Sequence, residues 1–181
     1  MLLTIATITA CSSIAPLADR GTYTVPGLGE RKQQILASGG NVRDLAIAML
    51  ETEHMSVKDY PYGDNKHNDA ANFGIFKQNW HMLRVSDVQY RQYSAHNYTR
   101  GADINGDLVR DIKALHTSQA YYGMDAWFMG HRGGESALLG HHANTDIRQY
   151  QAAVLWIQHQ IERNPTYLRD DTRIWVRVPA I

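Results

Sequence analysis

The chain has 181 residues, 44% of them apolar, which is enough for one folded unit with a sizeable core. Lys and Arg together number 18 and so do Asp and Glu, leaving a formal charge of zero. That balance excludes nucleic acid and anionic membrane surfaces as principal partners, since both reward a basic excess.

The first twenty residues, MLLTIATITACSSIAPLADR, hold a short apolar stretch (2–10) followed by small residues. The pattern resembles a secretory signal peptide, although no Lys or Arg precedes the apolar run. Cleavage is expected between residues 12 and 20, and an ordinary unstructured or strand-forming terminus is the alternative. Ile8-Thr9-Ala10-Cys11 also loosely matches a bacterial lipidation box. Cys11 is the only cysteine, so a mature domain over 21–181 holds no disulfide and relies on its core. No apolar run nears the roughly 20 residues that cross a bilayer. An extracellular monomer is expected.

Gly21 to Gly27 reads as a loop or a short extended piece. GERKQQILASGG predicts a first helix over about 29–38, ended by Gly39-Gly40. Asn41 suits the cap of a second helix, with Asp44 three residues on. Val42, Leu45, Ala46, Met49 and Leu50 share one apolar face of that helix, which should end near Glu53. Residues 54–72, rich in Gly, Pro, Asn and Asp, predict a loop with room for a hairpin. NFGIFKQNW suits a strand or the entry to a helix. Residues 104–119 predict a third long helix, followed by YYGMDAWFMGHRGGE, an aromatic segment broken by glycines. Thr145 is expected to cap a final helix that carries Tyr150, Val154, Leu155, Ile157 and Ile161 and stops at Asn164-Pro165. TRIWVRVP suggests an edge strand. The whole is an α+β pattern dominated by helix, with one irregular region holding the polar residues.

The run AMLETEHM raises a chemical question. A helix C-terminus carries partial negative charge and disfavours a carboxylate, yet this apolar helix ends in Glu51 and Glu53. A glutamate held there should resist ionising. The loop beyond contains Asp59, Asp64 and Asp69. Two carboxyls in different environments can divide general-acid and general-base roles, the logic of glycoside hydrolysis. Glu51, beside Met49 and Leu50, suits the protonated partner; Asp64, in the wet loop YPYGDNK, suits the ionised one. Solvated surface acids are the plain alternative.

DLAIAMLET, FGIFKQN and GMDAWFMGHR resemble three pieces of a c-type lysozyme, in the right order. That resemblance implies a helix ending in the catalytic acid, here Leu50-Glu51-Thr52, and a hairpin carrying the Phe73-Gly74-Ile75-Phe76 run. It implies a sugar-binding Asn79, and a tryptophan, Trp127, packed on the acid so as to raise its pKa. The residue before Phe73-Gly74, where those lysozymes place a second carboxylate, is Asn72, and their cysteine framework is absent.

AMLETEHM followed by DYPYGDNKHNDAANFGIFKQNWHMLR is more closely similar to the endo-β-1,4-mannanases of glycoside hydrolase family 134, with the resemblance dense over about 22–132. It implies a lysozyme-like fold with a small hairpin region and a cleft between the two parts. It also implies hydrolysis of β-1,4-mannan with inversion, Glu51 acting as general acid and Asp64, thirteen residues later, as general base. Glu53 is the rival acid. Lys66, Asn72, Gln78 and Asn79 then become hydrogen-bonding partners of sugar hydroxyls, and Tyr62, Phe73 and Trp80 ring faces for pyranose stacking. Core packing is the alternative for Phe73 and Trp80, and pinning the backbone is the alternative for Gln78. Trp127 is expected at the cleft, and His131-Arg132 are expected to border it, with a solvated turn as the alternative.

An enzyme of N-acetylated glycans and a carbohydrate-binding protein without catalysis are the other readings; the presence of both Glu51 and Asp64 argues against the second. His141-His142 with Asp146 and His131 lack zinc spacing. Asp103 to Asp107 begins like a calcium loop, but its glycine is misplaced and no terminal Glu follows. No metal and no cofactor are expected.

Overall fold

Strand β1 (Arg20–Thr24) pairs antiparallel with β4 (Thr172–Val176), setting Thr22 opposite Ile174, in a computed structural model that describes residues 19–140 and 144–178. The expected signal segment with Cys11, and the His141-His142 pair, lie outside the described residues. Gly21 to Gly27 thus takes the extended alternative in its first part, and TRIWVRVP forms the strand read from sequence.

Helix α1 (Leu28–Ala37) starts after Gly27, which sits at φ 83° and offers no capping side chain. The Asp171 carboxylate accepts the Gly29 N–H at 2.8 Å instead. Lys32 is fully buried on this helix, and its Nζ donates to the carbonyls of Tyr167, Asp170 and Thr172 at 2.7–2.8 Å. One ammonium therefore ties α1 to the chain leading into β4. Lys32→Met would leave three carbonyls without a donor, partly offset by removal of a costly buried charge. A loss of about 2–3 kcal/mol in chemical denaturation is expected.

Asn41 and Asp44 form a reciprocal cap on α2 (Val42–Glu51). The expected single apolar face understates this helix. Leu45, Ala46, Ile47, Ala48 and Met49 are all buried, because α6 (Asn144–Arg163), β4 and α1 enclose α2 from several sides. The main core gathers around it, with Ile112, Leu115, Trp127, Phe128, Tyr150, Val154 and Ile157.

The next segment holds three short 3-10 turns and a hairpin of β2 (Asn72–Phe73) and β3 (Gln78–Asn79), followed at once by α3 (Trp80–Ser86). NFGIFKQNW is thus both strand and helix entry. A second cluster, containing Phe73, Trp80, Leu83, Tyr90 and Ile104, lies beneath the hairpin.

Two boundaries differ from expectation. Helix α4 spans Leu108–Tyr122 rather than 104–119, because Ala95–Ile104 forms 3-10 turns and the Asp107 side chain caps Arg110 N–H at 3.0 Å. The calcium-like segment therefore ends as a helix cap. The glycine-containing aromatic segment is one helix, α5 (Met124–Leu138), bent only at Gly134 (φ 63°). Gly130 does not break it; a Cβ there would crowd Met82 of α3, so the glycine allows close helix packing. Helix α6 opens at Asn144, one residue before Thr145, whose side chain lies outside the described part.

Candidate active site

Glu51 is the last residue of α2. The carbonyls at that helix end are met by Arg173 of β4, whose Nη2 donates to Met49 O at 2.5 Å. A cation is the favoured charge at this end, so Glu51 itself does not cap the dipole. Its side chain turns inward and is 11% exposed. Tyr150 Oη donates to Glu51 Oε1 at 2.5 Å, and His131 Nε2 lies 3.0 Å from the same oxygen. Burial pushes this carboxyl up, but the hydrogen bond and charge of His131, then Tyr150 and Arg132, outweigh it and hold its pKa below the ordinary value.

This corrects the expectation for Trp127. The indole is buried and stacks on the His131 ring, with centroids 4.6 Å apart and planes 11° apart. Trp127 thus packs on the imidazole that engages Glu51, and the donors and charges that converge on the acid lower its pKa against the raising effect of burial.

Asp64 occupies a left-handed run, Gly63, Asp64 and Asn65 at φ 62°, 59° and 57°. Such backbone persists in non-glycine residues only where surrounding contacts fix it. Here Lys77 Nζ lies 3.2 and 3.3 Å from the two carboxylate oxygens, and Asn72 Nδ2 donates at 3.3 Å. Lys77 sits in the hairpin turn at φ 47° and places its ammonium 4.9 Å from the Tyr60 ring centre. Burial pushes the Tyr60 phenol far up, and the charges of Asp111, Asp64 and Glu51 push it the same way. The fields of both candidate carboxylates therefore reach one hydroxyl.

A cleft of about 400 Å³ separates the segment around the hairpin from α5. Lys66, Asn72 and Asn79 line one wall, His131 and Arg132 the other. Neither carboxylate lines this cleft, but each is hydrogen-bonded to a residue that does, Asp64 to Asn72 and Glu51 to His131. Asn79 Oδ1 is buried with no hydrogen-bond partner. Another hollow, of about 490 Å³, opens beside Arg31 and Asp111 and is lined by no partner of either carboxylate. Chemistry rather than size places the site.

Several expected sugar contacts sit elsewhere. Phe73 and Trp80 are wholly buried, so neither offers a ring face; both are core. Gln78 is buried too, and its Nε2 donates to the Asp111 carbonyl and carboxylate at 2.7 and 2.6 Å. These three assignments are corrected. Tyr62 is 54% exposed, with its ring edge-on to Phe73 at 5.7 Å, but it is outside the cleft lining. The rival acid Glu53 points to Tyr23 Oη, 2.6 Å, and Arg173. Asp59 is bound by His54 N–H and imidazole, and Asp69 by the Arg84 guanidinium at 2.6 Å twice.

Sequence reasoning missed Lys77 and Tyr150, whereas Arg132 lines the cleft beside His131, the first of the two readings open to that pair. Lys77 reads as a turn residue and Tyr150 as one of a helical apolar stripe, and only the fold brings them to the carboxylates. It also missed the one group with metal-ligand chemistry among the described residues. Asp69, His81 and Glu135 bring three ligand atoms within 4.8 Å of one another. Arg84, however, engages both Asp69 oxygens, and its Nη2 lies 3.4 Å from His81 Nδ1. A guanidinium there opposes a metal cation.

Asp111 secures the hairpin from below. It accepts Ile75 N–H at 2.7 Å and Gln78 Nε2 at 2.6 Å, and a Cβ at Gly74 (φ 74°) would collide with it. Burial pushes its carboxyl up to about 7 despite those donors and Arg31. The folded protein thus binds this proton more tightly than the unfolded chain. Its contribution is greatest below the ordinary carboxyl pKa and is lost as pH rises to about 7. The loss is on the order of 4 kcal/mol at full effect. Melting temperature should fall between pH 4 and 7 in the native protein, and Asp111→Asn should flatten that dependence; parallel curves would show that Asp111 is not the group responsible.

A family model described as Glycosyl hydrolase family 134 matches residues 29–178. No curated protein matches the chain.

Proposed function

Because the chain belongs to glycosyl hydrolase family 134, we propose that this glycoside hydrolase is an exported endo-β-1,4-mannanase of lysozyme-like architecture. It cleaves β-1,4-mannosidic bonds by single displacement with inversion, Glu51 serving as general acid and Asp64 as general base. The observation that carries this reading is that each carboxylate is hydrogen-bonded to a residue lining one cleft, Glu51 to His131 on α5 and Asp64 to Asn72 at the hairpin.

Their surroundings suit different tasks. Tyr150 and His131 both engage Glu51 Oε1 and so fix the carboxyl that protonates the departing glycosidic oxygen. Asp64 is held by Lys77 and Asn72 as an acceptor, the state a base needs to deprotonate an attacking water. Inversion requires the two carboxyls roughly 6.5–9.5 Å apart, with water between them. Asn72, at the hairpin, cannot form a glycosyl ester. Lys66 and the unpartnered Asn79 Oδ1 offer a donor and an acceptor to sugar hydroxyls. The apolar segment 2–10 supports export.

Reducing-end release separates the substrate classes. Linear β-1,4-mannan should yield oligosaccharides of several lengths from the outset, and chitin and peptidoglycan should yield none. Release from an N-acetylated glycan and none from mannan would transfer the same cleft to the other substrate class. Galactomannan and glucomannan run in parallel measure tolerance of branches and glucose units.

A further inference from the structure

Resting on the assignment of Glu51 as the acid, we propose that His131 and Glu51 hold the catalytic proton as a pair, with Tyr150 fixing the carboxyl that delivers it. The geometry comes from three elements. Glu51 stands at the end of α2, His131 on α5 and Tyr150 on α6. His131 Nε2 lies 3.0 Å from both Glu51 Oε1 and Tyr150 Oη, and Tyr150 Oη lies 2.5 Å from the same Oε1. The imidazole side chain is 4% exposed and stacked on Trp127, so its ring plane is fixed. It also lines the cleft, whereas Glu51 and Tyr150 do not.

Hydrogen counting sets the roles. Tyr150 has one hydroxyl hydrogen, which the Glu51 carboxylate accepts, so His131 Nε2–H is the donor shared by the tyrosine oxygen and Glu51 Oε1, each 3.0 Å away. Moving that Nε2 proton to the carboxyl converts imidazolium–carboxylate into imidazole–carboxylic acid. One N–H bond breaks, one O–H bond forms and the net charge is unchanged. The second form is the acid the reaction requires. After Glu51 protonates the leaving oxygen, the pair is imidazole–carboxylate and takes a proton from solvent at His131, the member that borders the cleft. Water meanwhile supplies its hydroxyl to the sugar and its proton to Asp64, which releases that proton to solvent, so each turnover balances.

Two coupled groups lose protons in steps that belong to the pair. The basic limb of kcat/KM then reports loss of the shared proton, at higher pH than a lone carboxyl would show. The other charged or titratable groups facing this pair are Arg132, over the Tyr150 ring at 4.8 Å, Tyr60, whose phenol feels Glu51, and Arg173 on the α2 carbonyls.

His131→Gln should move the basic limb on manno-oligosaccharides to lower pH by at least about one unit, leaving the acidic limb in place. Tyr150→Phe removes a donor to the carboxylate and should move the basic limb the opposite way. A carbon and nitrogen NMR titration of the free protein, with labelled Glu and His, reads the same coupling without substrate. Glu51 Cδ and the His131 nitrogens should share two midpoints, and Glu51 should show one midpoint in a folded His131→Gln protein. If that variant does not fold, the Glu51 midpoints in Tyr150→Phe must rise. Independent single midpoints for Glu51 and His131 in the native protein, or a Glu51 titration that neither folded variant alters, would overturn the proposal. Failure to cleave mannan alongside coupled NMR midpoints would instead remove only the substrate assignment.

Discussion

Glu51→Gln and Asp64→Asn should each lower turnover on linear mannan by about 10²–10⁴-fold, the usual effect of losing one general acid or base. Neither substitution should unfold the protein. In Glu51→Gln the amide oxygen still accepts from Tyr150 and His131, so the buried cluster keeps its hydrogen bonds while the transferable proton is gone. Asp64→Asn loses the ion pair with Lys77, but both partners are about one-fifth exposed and the stability cost should stay within about 1 kcal/mol. Manno-oligosaccharide binding should survive in both, measurable by calorimetry. Substantial activity in Asp64→Asn would move the base to Asp59 or Asp69. Each of those would first have to release its partner, His54 or Arg84.

Trp127→Ala should cost about 3–5 kcal/mol in denaturant unfolding, since it empties a buried aromatic site in the main core. Activity should fall more than the unfolded fraction explains, because the indole fixes the His131 plane and His131 contacts Glu51. Trp127→Phe keeps a ring against the imidazole and should recover much of the activity. If Trp127→Ala weakens stability while the folded fraction turns over normally, the indole is core and nothing more.

The sequence makes the start of α2 legible because Asn41 and Asp44 form a local cap that needs no tertiary information. Its end is legible to within two residues, Glu51 rather than Glu53. Tertiary contacts overrule the local signals elsewhere. Gly130 reads as a helix breaker until Met82 is seen pressing on it, and the onset of α4 depends on Asp107 capping the turn ahead of Leu108. The same limit applies to the candidate site. A buried aromatic and a sugar platform look alike in sequence, and burial alone removes Phe73 and Trp80 from the cleft. Gln78 is polar, yet its partner is Asp111, 33 residues away. The direction of the Glu51 pKa shift could not be read either, because Tyr150 enters from α6, 99 residues on, beside the His131 that sequence assigned only to the cleft.

Inversion at a β-mannosidic bond by Glu51 and Asp64 is the central step of the proposed reaction. Proton NMR of the first products from a linear β-1,4-manno-oligosaccharide, recorded before mutarotation, tests it directly. The α-anomer should appear first and the β-anomer should grow only as mutarotation proceeds. Early appearance of the β-anomer would mean retention, a nucleophile that Asn72 cannot supply, and a mechanism other than the one argued from Glu51 and Asp64.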